Sequence, residues 1–237
     1  MRIYIEENYN ALSEKASEII ADFIKEKPIC VLGLATGSTP IKTYDLLGKL
    51  CKAGKISFKN VTTFNLDEYL GLSKLNSQSY HFFMEKNLFS KIDIDRKNIF
   101  FPTDLKDYKK YDEKIREKGG IDLQILGIGS NGHIGFNEPG SKFSSKTRAV
   151  LLAESTIKDN SRFFKNKKDV PKKAVTMGIS TIMGAKKIIL LANGANKQEA
   201  VLNALYSPVS RKNPASILQE HKGLIAVLDK EAAVKLK

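Results

Sequence analysis

The sequence predicts an α/β protein built on a doubly wound, mainly parallel sheet with helices on both faces. Short continuous apolar runs, which are typical of strands buried on both faces, alternate along the chain with segments of helical periodicity. No internal repeat or linker-like stretch interrupts this alternation, and 237 residues is an ordinary length for one such domain. We therefore expect a single domain of Rossmann-like architecture over residues 1–237.

The elements of the N-terminal half follow from apolar spacing and from helix boundaries. Leu12, Ala16 and Ile20 recur with helical spacing, and Pro28 ends that helix before the apolar run ICVLGL. Pro40 suits the first turn of the next helix, where its missing N–H is not needed. We expect strands over residues 1–5, 29–34, 61–65 and 98–101, and helices over residues 10–27, 40–53, 79–88 and 107–118.

The C-terminal half repeats the same alternation. The runs LQILGI and KIILLA are apolar throughout, as expected of central parallel strands. We expect strands over residues 123–128, 149–153, 174–177, 187–192 and 224–228, and helices over residues 156–164, 179–183 and 198–206 and at the C-terminus.

Four of the expected strands end in loops that carry polar residues. Because the carboxyl ends of parallel strands share one edge of the sheet, the loops that follow Leu34, Asn65, Gly127 and Ala192 should lie close together. Glycine and polar residues are most concentrated in the loop SNGHIGFNEPGS at residues 130–141. The sequence therefore predicts a functional site at this edge.

Composition narrows the classes of partner. The net charge of +13 comes from lysines scattered along the chain without interleaved aromatic residues, which indicates a solvated basic surface and no nucleic-acid platform. Such a field attracts anionic metabolites. No apolar run reaches the roughly 18 residues that span a bilayer, the N-terminus lacks the pattern of a signal peptide, and the two cysteines lack the spacing of a disulfide framework. We expect a cytoplasmic protein that binds neither nucleic acid nor membrane.

The segment ATGSTP has the composition of a phosphate-binding loop. Thr36, Ser38 and Thr39 supply hydroxyls, and Gly37 leaves backbone N–H groups accessible beside the start of a helix. Lys197, at the start of a later helix on the same edge, could add a positive charge. On local grounds a capped turn explains the loop and a surface position explains the lysine, so both interpretations stay open.

Acidic and imidazole side chains follow two other strands. Asp67 and Glu68 come after an apolar strand, where a carboxylate can face the crevice and act as a general base, or can cap a turn. His133 lies among glycines, five residues before Glu138. This pair can form a proton relay, with a structural role as the alternative.

The other two histidines do not indicate a metal site. His81 and His221 lie on helical stretches, and neither falls at ligand spacing from His133 or from a cysteine. We interpret both as structural and expect no bound metal.

Five segments with distinctive composition are spread in order over most of the chain. They are GLATGSTP at residues 33–40, TFNLDEYLGL at 63–72, SNGHIGFNEPGS at 130–141, NSRFF at 160–164 and NGANK at 193–197. Together they resemble the glucosamine-6-phosphate deaminase family. The resemblance implies that glucosamine 6-phosphate and water are converted to fructose 6-phosphate and ammonia, in amino-sugar catabolism and the use of N-acetylglucosamine, without a metal or organic cofactor.

The resemblance also implies roles for individual residues. Asp67 matches the base that moves a proton from C2 to C1 through an enediol-type intermediate. His133 and Glu138 match the residues that open the sugar ring, and Asn131 lies beside them. The positions that match the family's grip on the substrate phosphate are Thr36, Gly37, Ser38, Thr39, Arg162 and Lys197.

Two positions differ from some members of that family. Asn131 stands where the allosteric hexameric type has aspartate; asparagine can orient His133 but cannot carry a charge, so we hypothesise that Glu138 alone supplies it. Val150 stands where allosteric members have a basic residue, two places after the arginine that is Arg148 here, and the chain stops before their C-terminal extension. We expect no activation by N-acetylglucosamine 6-phosphate, and we favour a monomer over a homo-oligomer.

The resemblance further implies a mobile lid at about residues 155–173, whose closure would bring Arg162 onto the phosphate. The nearest alternative, 6-phosphogluconolactonase, shares the architecture, but its loop lacks the FNEP segment at residues 136–139. A non-catalytic sugar-phosphate sensor would need a DNA-binding domain, for which the pattern starting at residue 1 leaves no room. The sequence therefore predicts a deaminase that acts on a small sugar phosphate.

Overall fold

A parallel sheet forms the centre of the fold in the computed structural model, which describes residues 1–104, 107–152 and 171–236. The strands of these residues are β1 (Arg2–Glu6), β2 (Val31–Leu34), β3 (Thr62–Asn65), β4 (Asp67–Tyr69), β5 (Ile99–Phe100), β6 (Leu123–Gly127), β7 (Arg148–Leu151), β8 (Lys173–Thr176), β9 (Lys187–Ala192) and β10 (Leu224–Asp229). Their α-helices are α1 (Tyr9–Glu26), α2 (Ile41–Lys52), α3 (Tyr80–Asn87), α4 (Tyr111–Glu117), α5 (Ile179–Met183), α6 (Gln198–Leu205) and α7 (Lys230–Ala233). Short 3₁₀ helices cover Phe89–Lys91, Arg96–Asn98, Tyr108–Lys110, Ala195–Lys197 and Pro214–Glu220.

The order of strands in the sheet is β1-β10-β9-β6-β2-β3-β5, and every pairing is parallel. From β2 the chain extends the sheet in one direction through β3 and β5, and it then returns to β6 on the other side of β2. The crevice beyond the carboxyl ends of the strands at such a reversal is where ligands bind in open α/β sheets. The predicted fold class is confirmed.

Both faces of the sheet are covered, as the continuous apolar runs predict. In β9, Ile188 and Leu190 belong to one hydrophobic cluster, whereas Ile189 and Leu191 belong to the other. Helices α1, α2 and α3 pack in the second cluster, and α4 to α7 pack in the first. Both cysteines are free thiols, and Cys30 is buried. Throughout the described ranges, every helix is too short or too polar to cross a membrane.

A second, smaller sheet was not expected from the sequence. Strand β4 pairs antiparallel with β8, and β8 pairs antiparallel with β7. The helix expected over residues 107–118 is divided into the 3₁₀ helix Tyr108–Lys110 and α4. The helix expected over residues 156–164, and the lid at 155–173 except for its last three residues, lie outside the described residues.

At the opposite edge of the sheet, where the strands begin, the buried carboxylate of Asp122 joins two strands. Its Oδ2 accepts a hydrogen bond from Val31 N at 2.9 Å, and its Oδ1 accepts from Lys27 Nζ at 2.6 Å and Lys186 Nζ at 2.7 Å. Burial by itself would raise the pKa of Asp122, but these hydrogen bonds hold it below its usual value. The carboxylate therefore stays ionised and ties β2 to β6 at the end remote from the polar loops.

Candidate active site

The loops predicted to converge do meet at the carboxyl edge of the sheet. Strands β9, β6, β2 and β3 are consecutive neighbours in the sheet. Thr39 Oγ1 donates a hydrogen bond of 2.7 Å to Asn193 Oδ1, which joins the loops that follow β2 and β9. A methyl group placed on Gly135 would lie 3.3 Å from Asp67 Oδ2, so the loop after β6 covers the residue that follows β3. The predicted convergence is confirmed.

Asp67, the first residue of β4, carries a buried carboxyl group. The residue is 6% exposed, and no described group donates a hydrogen bond to its carboxyl oxygens. Burial raises the pKa of Asp67 to about 8, and the neighbouring charge of Glu68 acts in the same direction. A carboxylate with a raised pKa is a stronger base than an ordinary one, which is the property needed to remove a proton from carbon.

Thr176 and Gly135 enclose Asp67 from two sides. Thr176 lies directly opposite Asp67 in the antiparallel pair of β4 and β8, and its Oγ1 accepts a hydrogen bond of 3.0 Å from Phe136 N. Gly135 has a φ of +57°, and a methyl group there would also lie 2.9 Å from Thr176 Oγ1. Only glycine allows the backbone to approach so closely. Thr176 could not be predicted as part of the site, because a single threonine in a strand carries no functional signal.

Three polar side chains of the loop after β6 form a hydrogen-bonded chain. Asn131 Nδ2 donates to Glu138 Oε2 at 2.8 Å, and His133 Nδ1 lies 2.7 Å from Asn131 Oδ1. A carboxylate only accepts hydrogen bonds, so the amide presents its oxygen to His133, and Nδ1 carries the ring proton. His133 Nε2 is then the nitrogen that can accept a proton from a substrate. His133 Nδ1 and Glu138 Oε2 are 3.6 Å apart, which is ion-pair distance but too long for a hydrogen bond, so the hydrogen-bonded connection between them runs through Asn131.

The shape of this loop is set by close backbone approaches and by a buried amide. A methyl group on Gly129 would lie 2.2 Å from His133 Cε1, so the ring packs against the bare backbone of Gly129. Asn137, which is fully buried, donates from Nδ2 to two backbone carbonyls at 2.9 Å each. Its Oδ1 accepts a hydrogen bond of 2.8 Å from Arg148 Nη1. Arg148 entered the sequence analysis only as a marker of regulation, but it anchors the loop.

The predicted phosphate-binding loop leads directly into α2. Gly37 and Ser38 are exposed, Thr36 and Thr39 are half-buried, and Gly37 has a φ of +100°. Within the described part of the chain, the backbone N–H groups of Gly37, Ser38 and Thr39 have no hydrogen-bond acceptor. These donors, together with the hydroxyls beside them and the N-terminus of α2, suit an anion.

Lys197 and Arg162, the other two residues assigned to the phosphate, belong to other segments of the chain. Lys197 ends the 3₁₀ helix Ala195–Lys197 and directly precedes α6, in the loop that Asn193 joins to Thr39. Arg162 lies outside the described residues. Glu68, which the sequence analysis considered together with Asp67, does not face the crevice; it is buried and bonded to His81.

Solved structures that resemble this chain include two kinds of enzyme. One, described as a monomeric glucosamine-6-phosphate deaminase, matches 99% of this chain and 100% of its own with a TM-score of 0.95 and 45% identity. Another, a 6-phosphogluconolactonase from Trypanosoma brucei, matches 100% and 98% with a TM-score of 0.77 but only 21% identity. The second likeness shows a shared fold.

Sequence relatives are closer still. A glucosamine-6-phosphate deaminase of Alkaliphilus oremlandii is 53% identical over 98% of this chain and 99% of its own, and one of Thermoanaerobacter sp. is 51% identical over 98% and 94%. The family model for glucosamine-6-phosphate isomerases and 6-phosphogluconolactonase matches residues 5–227. With the sheet, the converging loops and these similarities together, the chain belongs to the family of glucosamine-6-phosphate isomerases and 6-phosphogluconolactonases.

Proposed function

We propose that this chain is a glucosamine-6-phosphate deaminase, which converts glucosamine 6-phosphate and water to fructose 6-phosphate and ammonia. The observation that carries the proposal is the close approach at Gly135, which places the loop that carries one group suited to proton transfer against a second such group. One is Asp67, and the other is the hydrogen-bonded chain of His133, Asn131 and Glu138. Conversion of a cyclic aldose to a ketose needs both, because the hydrogen on C2 becomes acidic only after the ring has opened.

The substrate phosphate is bound by the loop before α2. Its exposed backbone N–H groups and hydroxyls supply neutral donors, and Lys197 with Arg162 supplies positive charge. The four residues of the loop that serve this role are Thr36, Gly37, Ser38 and Thr39. Binding energy from this remote group holds the sugar in place during both proton transfers.

His133 performs the first proton transfer, which opens the pyranose ring. Its Nε2 accepts the proton of the O1 hydroxyl and returns a proton to the ring oxygen as the C1–O5 bond breaks. Asn131 holds Nδ1 protonated, so the ring keeps the tautomer that this step needs. The charge of Glu138, whose Oε2 lies 3.6 Å from His133 Nδ1, stabilises the imidazolium that forms.

Asp67 performs the second transfer, from C2 to C1. Its carboxylate takes the C2 proton, the released electron pair forms the C1–C2 double bond, and the π electrons of the C1 carbonyl move to O1, which takes a proton from the substrate's ammonium group. The carboxyl group then delivers its proton to C1 of this enediol-type intermediate, and the nitrogen lone pair forms the double bond from C2 to nitrogen. The amine then remains on C2 as an iminium group, to which water adds and from which ammonia leaves. The raised pKa of Asp67 favours proton abstraction, and the substrate's own ammonium group favours the ionised carboxylate.

An ammonia-release assay with glucosamine 6-phosphate tests the assignment. The parent chain should release ammonia, and Asp67→Asn should lower turnover by roughly 10³-fold, since the general base is lost. Asp45→Asn is a matched control, because Asp45 lies on the surface of α2 and pairs only with Lys49 and Lys91 among the described residues. Hydrolysis of 6-phosphogluconolactone without ammonia release would show that the lactonase alternative is correct.

A second variant tests the source of charge in the loop. Glu138→Gln keeps a hydrogen-bond acceptor for Asn131 but removes the carboxylate, so turnover of the pyranose substrate should fall by roughly 10²-fold. Near-normal turnover would show that Glu138 does not supply the charge.

The same proposal covers regulation and location. The enzyme acts as a cytoplasmic monomer in amino-sugar catabolism, including the use of N-acetylglucosamine, and formally as a hydrolase. A structure described as a monomeric deaminase, with a TM-score of 0.95, supports the monomer. Arg148 is already engaged by Asn137, and Val150 adds no positive charge beside it. Substrate curves should be hyperbolic; a sigmoidal curve that N-acetylglucosamine 6-phosphate makes hyperbolic would contradict this.

A further inference from the structure

Behind Asp67, the carboxylate of Glu68 is held by four hydrogen bonds. Its Oε1 accepts from the backbone N–H groups of Tyr69 at 2.8 Å and Tyr80 at 3.0 Å. Its Oε2 accepts from the backbone N–H of His81 at 2.9 Å and lies 2.7 Å from His81 Nδ1. Glu68 is 2% exposed, so strand β4 is joined to the first turn of α3 by a buried negative charge.

His81 connects this carboxylate to a second one. Its Nε2 lies 2.9 Å from Asp104 Oδ1, and its ring stacks on Phe101 with centroids 3.6 Å apart. Carboxylates offer only acceptors, so both ring nitrogens must carry protons for both contacts to be hydrogen bonds. Burial alone lowers the pKa of His81, but the hydrogen bonds with Asp104 and Glu68 more than compensate and raise it above its ordinary value. The geometry therefore describes an imidazolium between two carboxylates.

Two further ion pairs of the described residues lie near His81 and do not involve its ring directly. Lys74 pairs with Asp104 on the far side of the ring. Glu85, one turn further along α3, pairs with Arg96. In the described part of the chain, the ion pair that Glu68 makes is the one with His81.

Among the described residues, no cation acts on the pKa of Asp67, which burial and the charge of Glu68 both raise. Burial raises the pKa of Tyr69 to about 12 and those of Tyr80 and Tyr111 well above their usual value, so these phenols are neutral. Arg148, on the small sheet, keeps its charge and is hydrogen-bonded to the neutral side chain of Asn137, but it does not act on the pKa of Asp67. The charge of Glu68 beside Asp67 is thus balanced from one side, by His81.

We propose that His81 is a positioning residue for proton transfer at Asp67: as an imidazolium bound between Glu68 and Asp104, it fixes β4 against α3 and balances the negative charge behind the base. The inference rests on the proposed role of Asp67 as that base. His81 itself touches no substrate atom.

The pH dependence of kcat/KM separates this role from a purely structural one. In His81→Gln the positive charge is lost, so Asp67 ionises less readily and the acidic limb should move to higher pH by about one unit. In Glu68→Gln the negative charge is lost, and the same limb should move to lower pH. The substrate ionises in the same way with every variant, so its ionisation cannot cause a difference in the acidic limb between variants. Arg96→Gln, which removes a cation from the exposed pair with Glu85, is the control and should leave the limb unmoved.

An NMR measurement on the intact parent protein supplies a second readout that does not depend on activity or on the folding of a variant. Side-chain ¹⁵N shifts of His81, assigned through bonds from its backbone resonances, should show both ring nitrogens protonated at neutral pH. A neutral ring would overturn the proposal, as would acidic limbs that stay unmoved in both charge variants while Asp67→Asn is inactive. Full turnover by Asp67→Asn would instead show that the proposed role of Asp67 is wrong.

Discussion

Replacement of Asp67 by asparagine should stabilise the protein at alkaline pH while it removes activity. The ordinary pKa of aspartate is 3.8, and burial raises that of Asp67 to about 8 in the folded protein. Between these values the folded chain holds a proton that the unfolded chain has released, so the free energy of unfolding falls as pH rises. The full difference corresponds to on the order of 5 kcal/mol, at about 1.4 kcal/mol for each tenfold change in proton affinity. Asparagine is neutral and avoids this cost.

Urea denaturation of both proteins at about pH 5, 7 and 9 measures the effect. The advantage of Asp67→Asn should grow with pH and level off above about pH 8. Asp122→Asn is a reference of opposite sign. Burial would raise the pKa of Asp122, but hydrogen bonds from Lys186 and Lys27 hold it below the ordinary value of 3.8, so loss of this carboxylate should destabilise the protein by about the same amount at all three pH values, and the effect should fade only in stronger acid. An Asp67→Asn advantage that is equal at all three pH values would refute the link between burial and basicity.

Two further variants test the geometry of the loop after β6. Gly129→Ala should displace the ring of His133 and reduce turnover at least tenfold, with little loss of stability. Gly127→Ala is the control and should retain turnover, because no atom lies within 4 Å of the added methyl group. Equal activities of the two variants would contradict the close approach of His133 to Gly129. Asn131→Asp places a carboxylate against Glu138. Two negative charges at hydrogen-bond distance repel each other, so the pair should keep one proton to higher pH, and the pH–rate profile should show an apparent pKa that is higher than in the parent chain. An unchanged profile would show that the contact between these side chains is not maintained in solution.

The main sheet could be predicted because its strands are apolar on both faces. The run at 187–192 forms β9 with the predicted bounds, and the ends of the other strands of the main sheet differ from the predicted ends by at most two residues. Strand β4 could not be predicted: Asp67–Tyr69 is too short to show a period of two, and its partner β8 lies far along the chain. The division of the helix at 107–118 likewise depends on packing, since Tyr111 bonds to two backbone carbonyls of neighbouring strands.

The candidate site could be predicted as a set of residues but not as an arrangement. The loops that carry Asp67 and His133 meet as parallel topology requires, yet the direction of the hydrogen bonds through Asn131 depends on loop conformation that no local pattern shows. On local grounds either Asp67 or Glu68 could face the crevice, and only the resemblance singled out Asp67. Successive residues of a strand point to opposite faces, so once Asp67–Tyr69 is a strand, Glu68 must turn towards α3 and His81.

The close approach at Gly135 links the two proposed proton transfers through one loop. The loop that carries His133, the residue proposed to open the ring, also covers the carboxyl group of Asp67. When this loop is in place, the base is desolvated and strong; if it moves away, water reaches the carboxylate and weakens it as a base. One short piece of backbone therefore sets both the position of His133 and the desolvation of Asp67, so a change in this loop should affect both proposed proton transfers.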